Sequence, residues 1–71
     1  MARTPVSSSN LASVGYDSVS GTLEVEFLSG TIYQYTNVPS ERYSGLINAP
    51  SKGDYFNFYI KEGGYAFKQV R

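Results

Sequence analysis

Leu23-Glu24-Val25-Glu26-Phe27-Leu28-Ser29-Gly30-Thr31-Ile32-Tyr33-Gln34-Tyr35 decides the fold of this chain. Apolar and polar residues alternate on both sides of Ser29-Gly30, the period of strands with one buried face each. The loop length fixes the register, because a one-residue slip moves every side chain to the opposite face. A two-residue Ser29-Gly30 loop sets Val25 opposite Gln34. A three-residue Leu28-Ser29-Gly30 loop, with Gly30 left-handed, sets Val25 opposite Tyr33 and Leu23 opposite Tyr35. The second register keeps apolar residues together and is the one expected.

Working toward the N-terminus, Ala12, Val14 and Tyr16 alternate with Ser13, Gly15 and Asp17. A four-residue Ser18–Gly21 loop pairs Tyr16 with Leu23, Val14 with Val25 and Ala12 with Phe27. Residues 1–9, with Pro5 and Ser7-Ser8-Ser9, read as a polar lead-in without periodicity, and residues 10–71 as one domain.

Toward the C-terminus the period changes at Val38-Pro39. Proline suits a helix start, and Pro39, Tyr43, Leu46 and Ile47 form a helical stripe. Gly45 within it costs ~1 kcal/mol relative to Ala, so this helix should be short. Ser51-Lys52-Gly53-Asp54 is a capping pattern before a second short helix, with Phe56, Tyr59 and Ile60 on its inner face and an end near Gly63-Gly64. Tyr65 to Val70 alternates again as an edge strand. The expected fold is α+β, β-β-β-α-α-β: an antiparallel three- to four-stranded sheet with two short helices on one face.

Composition narrows the function. The 71 residues carry six Lys plus Arg against six Asp plus Glu, with no Cys and no His. Disulfides, thiolate metal sites, cysteine nucleophiles and histidine chemistry are therefore absent. No run approaches the length of a membrane span, and the start lacks the apolar stretch of a signal peptide, so a cytoplasmic product without membrane contact is expected. Zero net charge argues against a long polyanionic partner, which requires several unopposed cations.

From Ser8-Ser9-Asn10-Leu11 through Gly15-Tyr16-Asp17, Leu23-Glu24-Val25-Glu26-Phe27, Gly30, Tyr33-Gln34-Tyr35 and Val38-Pro39, the chain resembles the KTSC domain. The likeness continues through Ala49, Ser51, Gly53, Tyr55-Phe56-Asn57 and Ile60-Lys61, with the family's Tyr-x-Tyr at Tyr33-Gln34-Tyr35. Pro50 and the second glycine of Gly63-Gly64 depart from its pattern. The family takes its name from the C-terminus of some lysyl-tRNA synthetases and occurs as small stand-alone bacterial and phage proteins. The resemblance implies a compact domain of this length, suggests RNA binding from the company it keeps, and brings no catalytic residues.

Each candidate site also has a structural role open to it. Tyr33 and Tyr35 could stack on a base at ~1–3 kcal/mol each, or form core beneath the helices. Ser51, Lys52 and Gly53 open a helix whose free N–H groups suit a phosphate, or merely cap it, with Asp54 filling the positive end. Arg42, Tyr55 and Asn57 complete the candidate ligand-binding set. Glu24 and Glu26 lie ~7 Å apart along a strand, a spacing open to glycosidase chemistry, although a solvated sheet face is the expected reading. Most basic residues follow position 40, interleaved with acids, and Lys68 to Arg71 reads as a charged edge strand.

Eleven aromatic rings exceed what so small a domain hides, and Tyr55, Phe58 and Tyr65 fall outside the stripes. Exposed rings mark partner or ligand surfaces, and self-association would bury them. The chain therefore reads as a non-enzymatic binding module without metal or cofactor, and as a homo-oligomer. Its ligand is nucleotide-type, either single-stranded RNA or a small nucleotide that it sequesters. The alternative is a protein-interaction adaptor using exposed aromatics.

Overall fold

A computed structural model describes all 71 residues. The strands are β1 (Thr4–Pro5), β2 (Leu11–Asp17), β3 (Thr22–Phe27), β4 (Ile32–Tyr35) and β5 (Phe67–Gln69). They form one antiparallel sheet in sequence order. Helix α1 (Ser40–Asn48) and helix α2 (Lys52–Tyr55), which runs on as a π-helical segment Phe56–Lys61, connect β4 to β5. The fold is α+β, with one strand more than the expected three or four. The additional strand is β1, which pairs Thr4 with Val14 and Pro5 with Ser13.

Both hairpin registers follow from the alternation. Tyr16 pairs with Leu23, Val14 with Val25, Val25 with Tyr33 and Leu23 with Tyr35. The three-residue loop closes with Gly30 N–H donating to Phe27 O and Gly30 at φ 92°. One row departs from expectation. A bulge between Leu11 and Ser13 sets Leu11, not Ala12, opposite Phe27. The inserted residue turns Leu11 into the core, where it is fully buried like Val14, and leaves Ala12 half-buried.

The core is one cluster: Leu11, Val14, Leu23, Val25, Tyr35, Val38, Leu46, Phe56 and Ile60. Phe56 is its keystone, packing edge-on against Phe27 at 5.4 Å and Tyr35 at 5.6 Å. Tyr16 ties α1 to the sheet, stacking on Tyr43 at 5.1 Å and donating its hydroxyl to Val38 O. Three positions of the expected helical stripes face outward, the first being Pro39, which precedes α1 as its N-cap. Ile47 of α1 is exposed, because Leu46 alone fills the inner position there. Tyr59 is 38% exposed, because a π turn holds about 4.4 residues and rotates it away from Phe56 and Ile60.

Glu24 and Glu26 are not a solvated face. Arg3 crosses the outer side of the sheet; its guanidinium donates to Glu24, its Nε donates to Ser13 Oγ at 2.9 Å, and its Nη2 lies 3.7 Å from Glu26. Gln34 Nε2 donates to Glu24 at 2.7 Å, and Arg71 Nη2 donates to Glu26 at 3.0 Å. Glu24 is buried, and its carboxyl is held below the usual carboxylate range by the Gln34 hydrogen bond and by Arg3, against the cost of burial. Both carboxylates are committed to these partners, which leaves neither as a free acid or base.

Candidate functional site

The eight candidate residues fall into three places. Tyr35 is core, 3% exposed, with burial and the neighbouring Tyr33 raising its phenol pKa. Tyr33 is half-buried, enclosed by Phe27 at 5.8 Å, Tyr35 at 6.3 Å and Phe67 at 5.8 Å. The Tyr-x-Tyr pair serves the packing of sheet against helix. Phe67 lies against both rings and is itself 63% exposed.

Ser51 and Lys52 lie in the second place. Together with Pro50 they face Ser7, Ser8 and Ser9 across a shallow cleft of about 300 Å³. The floor is built by local hydrogen bonds. Ser8 Oγ donates to Asn10 Oδ1 at 3.1 Å and accepts from the Asn10 and Leu11 N–H groups, fixing the serine run as it enters β2. Ser51 Oγ accepts from Asp54 N–H at 3.3 Å, so the helix is capped as expected. Lys52 Nζ donates to Ala49 O at 3.1 Å, leaving two of its three N–H groups unused. No carboxylate lines the cleft. Gly53 is covered: the Asn10 side chain sits where a Cβ would stand, so no phosphate reaches its backbone.

Arg42, Tyr55 and Asn57 belong to the helical face, with Asn57 exposed. The Arg42 guanidinium lies 4.6 Å from the centre of the Tyr59 ring, which stands 4.5 Å from Tyr55 and 5.0 Å from Phe58. Gly45 makes this possible, since a Cβ there would collide with the Tyr55 phenol. The neighbouring Tyr55 and Tyr65 phenols hold the Arg42 pKa above the ordinary arginine value.

Sequence reasoning missed Ser7–Ser9 and Tyr59 as members of these two places, and singled out Phe58 as an exposed ring without assigning it to either. The serines lie in a segment without periodicity, and Tyr59 faces outward only because of the π turn. For Phe58 the available signal was its absence from any apolar stripe. No group of three metal-ligating side chains converges anywhere, and no helix is long and apolar enough to cross a membrane.

Comparison with known proteins agrees with this architecture. The chain is 41% identical over 70 residues to an uncharacterized protein of Stutzerimonas stutzeri, covering 99% of each. It is 46% identical over 55 residues to a lysine–tRNA ligase of Nostoc punctiforme, a match that spans 78% of this chain and 10% of the ligase. The crystal structure of a KTSC domain protein from Yersinia pestis superposes with a TM-score of 0.92 at 36% identity, over 99% of this chain and 97% of that one. The KTSC domain model matches residues 7–65, and the chain belongs to the KTSC domain family.

Proposed function

We propose that the domain is a non-catalytic binding module for a small nucleotide-type ligand, held by its phosphate in the cleft between Ser7–Ser9 and Ser51–Lys52. One observation carries this reading: two segments more than forty residues apart converge four serines and an ammonium with no opposing carboxylate. The ammonium and the Ser7, Ser9 and Ser51 hydroxyls suit a phosphate, the Ser8 hydroxyl being spent on Asn10, and the nearly apolar-free lining offers nothing to a lipid or a bare ring. Zero net charge favours a ligand with few phosphates over a long RNA. With Glu24 and Glu26 committed to ion pairs, the domain acts stoichiometrically, by sequestering what it binds.

Thermal-shift measurement against a panel of nucleotides tests this. Ligand at ~100-fold over its Kd adds ~2.7 kcal/mol to stability, and Lys52→Ala should abolish the shift. RNA affinity measured from ~50 mM salt upward separates the single-stranded RNA form of the proposal. A panel without any shift rejects the ligand reading.

A second reading, a protein adaptor or self-associating module, has its own support at β5. Ala66 O and Val70 N–H point into the sheet, toward Thr36 and Ile32. By alternation the backbone groups of Phe67 and Gln69 face outward, and the Phe67 side chain is 63% exposed. That edge suits an added strand from a partner or a second copy. Light scattering across a concentration series, with Phe67→Asp as the control, tests self-association there.

A further inference from the structure

We infer that Arg42, Tyr59 and Phe58 form a second ligand site, separate from the serine–lysine cleft, for an aromatic anion: a planar ring carrying a phosphate or carboxylate. The chain carries three arginines. Arg3 and Arg71 are both neutralised by Glu24 and Glu26. Arg42 has no carboxylate within 4.0 Å; the adjacent Glu41 instead accepts from the Ser40 hydroxyl. Its guanidinium lies over the Tyr59 ring, 4.6 Å from the centroid, with the Tyr55 and Tyr65 phenols as neighbours.

A ring face attracts a cation but does not neutralise it. Two phenol oxygens cannot use all five N–H donors of a guanidinium. What remains is a pre-positioned fork suited to bidentate contact with a phosphate or carboxylate. Next to Tyr59 stands a ring outside the core cluster. Phe58 is 72% exposed, its centroid 5.0 Å from Tyr59 and its plane tilted by 58°. Two glycines maintain the arrangement: Gly45 admits the Tyr55 phenol, and Gly63 leaves room for the Tyr65 ring. A cation without a carboxylate partner, joined through Tyr59 to an exposed ring, is complementary to a ligand with one anionic and one planar part. The cleft, which lacks rings, is complementary to the anionic part alone.

The test is an NMR titration of the full chain with phenyl phosphate, benzoate and inorganic phosphate in parallel. Saturable shifts of the Arg42, Tyr55, Phe58 and Tyr59 amides with phenyl phosphate or benzoate are expected. The ring-bearing probe that binds identifies the preferred anion. Arg42→Ala should weaken this binding at least about tenfold, Arg42→Lys should restore it only in part because the fork is lost, and exposed Phe58→Ala should weaken it severalfold without unfolding the domain. Absence of saturable shifts at these residues with both ring-bearing probes overturns the inference, as does unchanged affinity in Arg42→Ala. Inorganic phosphate reports on Ser7–Ser9 and Ser51–Lys52, so failure of the cleft reading is seen independently of failure at Arg42.

Discussion

Arg3 and Glu24, 21 positions apart, form the ion pair that organises the outer face of the sheet. Glu24 is 7% exposed, and its other side-chain partner is Gln34. Removing the cation leaves a buried carboxylate half-satisfied, at a cost of about 1–3 kcal/mol. Arg3→Ala should therefore lower the urea midpoint clearly, whereas a freely solvated Arg3 would be silent. An unchanged midpoint would contradict the clamp.

That clamp marks the limit of what the sequence reveals. Alternation from Leu23 to Tyr35 carries the register, because burial of one face enforces a strict period of two. It cannot reveal that Glu24 lies beneath Arg3, since the partner comes from a segment with no period at all. The bulge at Leu11–Ser13 was likewise hidden, because either Leu11 or Ala12 makes an acceptable inward residue and only packing selects the larger. Tyr33 and Tyr35 share a face in any register, but their enclosure depends on Phe67 and Phe56, which reach them from the other end of the chain. Ser51 and Lys52 were legible as a helix start; the wall opposite them was not.

Acid should weaken the fold through two carboxylates. Asp17 accepts from the Val19 and Ser20 N–H groups, and Glu24 from Gln34 and Arg3; both are held below their ordinary values of 3.8 and 4.5. The unfolded chain therefore takes up protons first as pH falls. Their contribution is fully present above the unfolded values and is lost as pH drops through the lower folded ones. Urea unfolding should show stability declining from about pH 5 downward. Glu24→Gln should flatten that decline and lower the neutral-pH plateau. A decline of the same steepness in the variant would remove Glu24 from the account.

Gly45 lies inside α1, where replacement by Ala ordinarily gains ~1 kcal/mol of helix propensity. Here the added methyl meets the stiff ring of Tyr55 as well as its hydroxyl. Overpacking of this kind costs about 1–3 kcal/mol, so Gly45→Ala should give no rise in Tm and should displace Tyr55 from Arg42. A higher Tm with unchanged tyrosine fluorescence would show that the ring yields freely.

Deleting residues 1–9 tests whether the serine-rich start is a wall or a tail. The deletion removes β1, the Arg3 clamp and the Val6 N–H bond to Ala12 O. It also removes half of the cleft lining while leaving Ser51 and Lys52 in place. The core cluster includes none of these residues, with Val6 only packed against it, so the truncated chain should still fold, at reduced stability. Phosphate response at Ser51 and Lys52 should vanish in the truncation and persist in Arg3→Gln wherever the serines remain seated by Ser8 and Asn10. Equal phosphate response in the truncated and full chains would place the anion contacts on Lys52 alone and reduce the cleft to an isolated surface cation.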